Sequence, residues 1–297
     1  MKKYLAISFI IAVSIIFSSC TVQRTDKSNL NKDDNIKVVP TDTEIIATLK
    51  PTIASTHIPT ITPNITSSNK NDIIDYTNTN KPFTEGVRIK KYPGNYACFQ
   101  FVTPDGFKII SDPFVIGKKI HPDVVTESHQ DMDHNDVSNL KKPFKLLTVP
   151  GEYKTKHIVI KGYAGKHNKR DDGDTNNIFV FTIDGIKIAH FASQGELPPP
   201  KVLEKIGKVD VILIQIFEDP AASKLIMDDV DIILKSLKPK IVIPEHGDTN
   251  AGKNLAEHLN IKEEYITNGE IIITRDNIDK INGIHVINLD TVIKLQN

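Results

Sequence analysis

Four side chains that can bind a metal ion occur within a stretch of six residues: His129, Asp131, Asp133 and His134. The apolar pair Val124-Val125 precedes this segment and a helix is expected after it, which predicts a strand-to-helix turn, a place where loops carry function. Imidazole and carboxylate groups suit zinc, iron or manganese. The segment therefore predicts a metal site, and the chemistry it would support is hydrolysis by a metal-activated water.

The elements that must position this segment are predicted from short apolar runs separated by turn signals. The run 209–214 predicts a strand buried on both faces, and Asp184-Gly185 predicts a hairpin turn, as does Pro104-Asp105-Gly106. Strands are predicted over residues 87–91, 97–102, 107–111, 124–127, 145–149, 157–161, 178–183, 187–191, 209–215, 240–243, 270–274 and 284–289. Helices are predicted over residues 199–206, 221–237 and 253–259.

The N-terminus has the features of an export signal. Lys2 and Lys3 are followed by an uncharged, mostly apolar run over residues 5–17, which is shorter than the about 20 residues of a membrane-spanning helix. The run ends in Phe17-Ser18-Ser19-Cys20 and resembles a bacterial lipoprotein signal, with Phe17 where leucine is usual. The resemblance implies removal of residues 1–19, acylation of Cys20 and anchoring at the extracytoplasmic face of the membrane. The alternative is a plain secretory signal with an incidental cysteine.

Residues 20–82 are rich in threonine and proline and predict a disordered tether, because this composition cannot bury a core. Residues 83–297 are long enough for one domain with a sizeable core. Once Cys20 is acylated, Cys98 is the remaining cysteine. It lies in a strand-like alternation and is predicted to be a small buried apolar residue.

Composition excludes several classes of protein. The chain has 297 residues, 37 basic and 37 acidic side chains, and two cysteines. A balanced charge gives no basic footprint for nucleic acid, so no nucleic-acid partner is expected. Two cysteines cannot form a disulfide scaffold. The expected partner is a small-molecule substrate, and the oligomeric state stays open.

The metal-binding segment and several further motifs resemble the metallo-β-lactamase superfamily. That family's turn reads His-x-His-x-Asp-His, and Asp131 stands here where its second histidine belongs. The other motifs follow the order of the ascorbate-6-phosphate lactonase-like branch and lie at residues 92–99, 111–114, 150–153, 177–181, 185–190 and 238–246. The resemblance implies an α/β fold, a four-layer αββα sandwich.

The resemblance also implies a set of site residues. His129, Asp131 and His167 match one half-site, and Asp133, His134 and His246 match the other. Asp133 would in addition orient or deprotonate the nucleophile. The family's bridging aspartate falls at Ser193, and Glu196 replaces a histidine, so both are expected near the water or substrate rather than as ligands. His190 ends a strand and is expected to be a packed structural histidine or a second-layer group.

The resemblance implies a zinc cofactor, as one or two ions, with manganese or iron as alternatives. The predicted activity is metal-dependent hydrolysis of an ester, lactone, amide or phosphodiester. The alternative is a catalytically degenerate binding protein with the same fold, which the changes at Ser193 and Asp131 favour.

Overall fold

The structure is a computed structural model, and it describes residues 82–94, 96–168 and 173–289. The predicted signal peptide, Cys20 and nearly all of the predicted tether lie outside the described residues. Within those three ranges, no helix has both the length and the apolar character needed to cross a bilayer.

The secondary structure follows the predicted alternation of strands and helices. In chain order the strands are β1 (Val87–Lys91), β2 (Phe99–Val102), β3 (Lys108–Ser111), β4 (Val124–Thr126), β5 (Lys145–Leu147), β6 (Gly151–Lys154), β7 (Ile158–Lys166), β8 (Thr175–Ile183), β9 (Ile186–His190), β10 (Val211–Ile214), β11 (Ile241–Pro244), β12 (Glu263–Ile266), β13 (Glu270–Ile273) and β14 (His285–Leu289). The helices are α1 (Met132–Asn135), α2 (Pro200–Ile206), α3 (Met227–Leu237), α4 (Ala251–His258) and α5 (Arg275–Lys280).

Two sheets are formed by these strands. The first has the order β13-β1-β2-β3-β4-β5, and β3, β4 and β5 run parallel. The second has the order β12-β14-β11-β10-β9-β8-β7-β6 and is parallel from β9 to β12. Both predicted hairpin turns are confirmed, because β2 pairs antiparallel with β3 and β8 with β9.

The main core lies between the two sheets. Strand β1 alternates buried and half-buried residues, as a strand with one face on a core must. Phe101 of the first sheet contacts Phe181 of the second, with ring centroids 4.8 Å apart. A second apolar cluster lies under α2, α3 and α4 on the outer face of the second sheet. The mixed α/β class with two sheets and helices is therefore confirmed.

The outer face of the first sheet has its own apolar cluster, which includes Cys98, Ile110 and Val125. In the part of the chain that the structure describes, the cover over this cluster comes from the segment 112–144, whose helix α1 is a single turn. Cys98 is a buried free thiol, as predicted, and burial raises its pKa.

Several sequence predictions are corrected by the structure. The helix predicted over 221–237 begins instead at Met227, because a 3₁₀ turn at Pro220–Ala222 is followed by Ser223 in a left-handed conformation, φ 55°. Strands β6 and β12 and helix α5 were not predicted. Their sequences, GEYK, EEYI and RDNIDK, are short and mostly polar, so no apolar periodicity marks them.

The contact between the sheets yields a stability prediction. We expect Phe181→Ala to lower the free energy of unfolding by about 3–5 kcal/mol, because it removes a fully buried ring that spans the two sheets. Urea denaturation followed by circular dichroism measures the change. The control is Ile232→Ala on the exposed side of α3, expected within about 0.5 kcal/mol of wild type. Equal effects of the two substitutions would contradict the proposed core.

Candidate metal centre

The predicted metal-binding segment forms the turn between β4 and the one-turn helix α1. Asp131 occupies the N-cap position of α1 but makes no side-chain cap hydrogen bond, so its carboxylate is not committed to the helix. His129 and His134 are buried, whereas the Asp131 side chain is exposed. The turn therefore directs two imidazoles inward and leaves a carboxylate beside them.

The first half-site comprises His129, Asp131 and His167, with one ligand atom from each residue within 4.8 Å of the others. Asp131 Oδ2 lies 3.3 Å from Nε2 of His129 and 3.8 Å from Nε2 of His167. His167 follows directly after β7. The structure thus brings together the three residues that the sequence analysis grouped.

The second half-site comprises Asp133, His134 and His246, gathered within the same 4.8 Å limit. Asp133 Oδ2 lies 3.6 Å from Nε2 of His134 and 3.6 Å from Nε2 of His246. His246 follows the end of β11. The ring centroids of His129 and His134 are 4.0 Å apart, so the two half-sites adjoin.

The buried carboxylate of Asp112, just after β3, organises the turn. Its Oδ1 accepts a hydrogen bond from the Ser128 backbone N–H (2.7 Å), and its Oδ2 accepts from Ser128 Oγ (2.7 Å) and His134 Nδ1 (2.9 Å). Burial raises the pKa of Asp112, but His134 and Ser128 outweigh that effect and hold the pKa below its usual range. Asp112 is therefore ionised and can only accept hydrogen bonds.

These partners set the tautomers of the imidazoles. Because Asp112 only accepts, His134 donates to it through Nδ1, and in the neutral ring the lone pair is then on Nε2. The Ser128 hydroxyl donates to Asp112, so it accepts from His129 Nδ1 at 2.9 Å. Asp174 Oδ2 lies 2.6 Å from His167 Nδ1 and fixes that ring in the same way. When the rings are neutral, the Nε2 lone pairs of these three histidines face the two carboxylates.

His129 provides the test of whether these residues suit a metal ion. Its Nε2 atom is buried and has no hydrogen-bond partner. Burial and the neighbouring His134 lower the pKa of His129 to about 3, so the ring is neutral at pH 7. Its Nε2 and Asp131 Oδ2, 3.3 Å apart, both carry lone pairs without a shared proton. A cation between them would satisfy both atoms, so the donor set fits a metal.

The other residues singled out from the sequence lie around the half-sites. Ser193 is buried, and its Oγ lies 3.2 Å from His134 Nε2. Glu196 joins neither half-site, because its carboxylate pairs with Lys166 at 3.2 Å.

His190 also lies outside both half-sites. It is fully buried between Ser111 Oγ, 2.7 Å from Nδ1, and Glu245 Oε2, 3.0 Å from Nε2. Burial acts to lower the pKa of His190, but the Glu245 carboxylate outweighs this effect and raises it. The contacts of His190 are those of a packed, internally paired histidine.

Three residues of the site were missed from the sequence: Asp112, Asp174 and Lys224. Lys224 Nζ donates to the His167 carbonyl at 2.7 Å, and burial lowers its pKa although the carboxylates of Asp131 and Asp133 act to raise it. Asp112 was noted within a motif, but no role was assigned to it. No local pattern marks Asp174 or Lys224 as partners of His167.

The pKa of His129 predicts how the metal-free protein responds to acid. The unfolded chain takes up a proton on this side chain below about pH 6.5, whereas the folded chain does so only near pH 3. Stability should therefore fall as the pH drops from about 6.5 to 3, by up to about 1.4 kcal/mol per pH unit from this group. Urea denaturation with a chelator present would show a shallower pH slope in His129→Gln. An unchanged slope would mean that His129 is not held neutral.

Comparison with known proteins identifies the family to which the fold is related. The family model for a beta-lactamase superfamily domain matches residues 92–246. A proposed Zn-dependent hydrolase of the metallo-beta-lactamase superfamily from Thermotoga maritima is 24% identical, with a TM-score of 0.55, and the match covers 68% of this chain and 98% of that one. No curated protein matches the chain.

Two further solved structures are similar at lower scores. A proposed metal-dependent hydrolase from Parabacteroides distasonis has 15% identity and a TM-score of 0.49, over 69% of this chain and 94% of that one. CmlA, a diiron β-hydroxylase from Streptomyces venezuelae, has 12% identity and a TM-score of 0.47, over 70% of this chain and 54% of that one. The family match itself extends over more than half of the chain. The chain therefore belongs to the metallo-β-lactamase superfamily, and this membership supports a hydrolase.

Proposed function

We propose that the chain is a metal-dependent hydrolase of small molecules, anchored at the extracytoplasmic face of a bacterial membrane. The proposed catalytic activity rests on one observation: Nε2 atoms of His129, His134 and His167 lie beside the carboxylates of Asp131 and Asp133. The Nδ1 atom of each of these histidines makes a hydrogen bond, to Ser128, Asp112 and Asp174 respectively. Such second-layer partners are typical of metal-binding histidines. The anchoring part is supported by the sequence around Cys20, which lies outside the described residues.

Each half-site offers two imidazoles and one carboxylate, a ligand set suited to catalytic zinc, and one or two zinc ions are proposed. Manganese and iron accept the same ligands and are the alternatives. When bound, the metal would lower the pKa of a water molecule and polarise the bond to be cleaved.

Asp133 is the residue that we assign to proton transfer. Its carboxylate is half-buried and lies 3.6 Å from both imidazoles of its half-site. From there it can accept a hydrogen bond from the attacking water and take its proton. Lys224 is a positioning residue, because its ammonium group holds the carbonyl of the ligand residue His167.

The substrate is proposed to be an ester, lactone, amide or phosphodiester. The order of the motifs from 92 to 246 resembles the ascorbate-6-phosphate lactonase-like branch, which favours a lactone or ester as the first class to screen. The balanced charge of the chain does not favour a polyanionic substrate such as nucleic acid.

A catalytically degenerate binding protein is the second candidate. It is favoured by Ser193, an uncharged buried side chain where the resemblance implies a bridging carboxylate. Zinc content after extensive dialysis separates the candidates, since a degenerate site would not retain stoichiometric metal.

The proposed function predicts how activity depends on metal and on Asp133. Chelation should abolish hydrolysis, and zinc, manganese or iron should restore it. Asp133→Asn should lower kcat at least about 100-fold, because the amide cannot accept the proton. Both are measured on chromogenic esters, lactones, amides and phosphodiesters, with metal content determined on each preparation.

The matched control is His157→Gln. His157 precedes β7 and pairs with Asp105 at 2.6 Å, whereas His167 follows the other end of the same strand. This variant should keep wild-type kcat and metal content. Activity that survives chelation, or a metal-loaded Asp133→Asn variant with wild-type kcat, would exclude the mechanism. A chain that neither retains stoichiometric metal nor turns over any of the four substrate classes would favour the binding protein.

A further inference from the structure

We propose that the two half-sites bind metal unequally, and that Ser193 sets the difference. The first half-site, with His129, would fill at low metal concentration. The second, with His134, would fill only at higher concentration, because the Ser193 hydroxyl occupies the lone pair that the metal needs. This inference rests on the proposed function in that both require metal at these residues.

Among the described residues, no hydrogen bond to His129 Nε2 in the first half-site has to be broken when a metal ion binds. Nε2 of His129 is buried and lacks a hydrogen-bond partner, and its other nitrogen is held by Ser128. A cation at Nε2 would therefore satisfy an orphaned polar atom and break no hydrogen bond within the protein. The Asp131 carboxylate, with its side chain 57% exposed, can turn toward the cation without leaving a packed position.

In the second half-site, His134 Nε2 already has a hydrogen-bond partner before a metal ion binds. Asp112 accepts a hydrogen bond from His134 Nδ1, so in the neutral ring Nε2 is the acceptor. Ser193 Oγ lies 3.2 Å from this Nε2, and its hydroxyl can donate to it. A cation at Nε2 must remove this hydrogen bond and leave a buried hydroxyl to find another acceptor, which disfavours binding.

The backbone keeps Ser193 in this place. Ala192 has a left-handed conformation, φ 50°, and its N–H donates to the buried Glu245 carboxylate at 3.2 Å. Gly195 packs so tightly that an added Cβ would lie 2.2 Å from the Cα atom of Asn168. The turn 192–195 therefore packs closely against Asn168, and this packing restricts movement of the Ser193 side chain away from His134 Nε2.

Several features are shared by the two half-sites. Both contain two histidines and one aspartate, and a carboxylate supports a ring in each, Asp174 for His167 and Asp112 for His134. The Lys224 ammonium group interacts with Asp131 and Asp133, one carboxylate from each half-site, and also with Asp174 and the His167 carbonyl beside the first. The hydrogen bond from Ser193 to His134 Nε2 has no counterpart at His129 Nε2 on the described residues.

The test is a zinc titration of the metal-free full chain against a chromophoric chelator. Two unequal dissociation constants are expected for wild type. Ser193→Ala should tighten the weaker site by roughly 2- to 10-fold, the equivalent of one net hydrogen bond, and leave the tighter site unchanged. The control is Ser111→Ala, which removes a buried hydroxyl bonded to His190 and should change neither constant.

Two further variants assign the sites. His167→Ala should abolish the tight site, and His246→Ala should abolish the weak one. The inference is overturned if the two constants are equal, if this assignment is reversed, or if Ser193→Ala leaves the weaker site unchanged. It is also overturned if Ser193→Ala weakens that site, because the hydroxyl would then be a ligand. Binding of no zinc at all would instead remove the proposed function and this inference together.

Discussion

A carboxylate withdrawn from water must have its lone pairs filled by hydrogen bonds, and Asp112 meets this requirement with groups of the metal-binding turn. It accepts from the backbone and hydroxyl of Ser128 and from the ring of His134. The Ser128 hydroxyl, which donates to Asp112, accepts in turn from His129 Nδ1. Because both Nδ1 protons are used in this way, the Nε2 atoms of the neutral His129 and His134 rings are acceptors in adjoining half-sites. The chemistry of the centre thus depends on one buried charge that would not itself touch a metal ion.

The fold supplies this arrangement from both sheets. Strands β3 and β4 of the first sheet deliver Asp112 and the turn 127–131, and strands β7, β9 and β11 of the second deliver His167, Ser193 and His246. Neither sheet holds a complete half-site. Packing between the sheets, such as the contact of Phe101 with Phe181, therefore fixes the distances within the centre as well as the stability of the domain.

Much of this organisation was predictable from the sequence, for identifiable reasons. The buried strands are marked by apolar runs, and His129, Asp131, Asp133 and His134 are close along the chain. The positions of His167 and His246 came from family resemblance, because no local spacing connects them with the turn. The roles of Asp112 and Lys224 arise from contacts 22 and 57 residues apart in sequence, to His134 and His167, which a local pattern cannot encode. Polar elements such as α5 lacked the periodicity that would predict them.

The most direct test of the account is the position of bound metal, measured by anomalous diffraction at the zinc edge from crystals of the chain grown with zinc. We predict a peak bounded by His129, Asp131 and His167, with ligand distances of about 2.0–2.2 Å, and lower occupancy beside Asp133, His134 and His246. A zinc peak held elsewhere on the surface, with both half-sites empty, would contradict the claim that this turn is a metal centre.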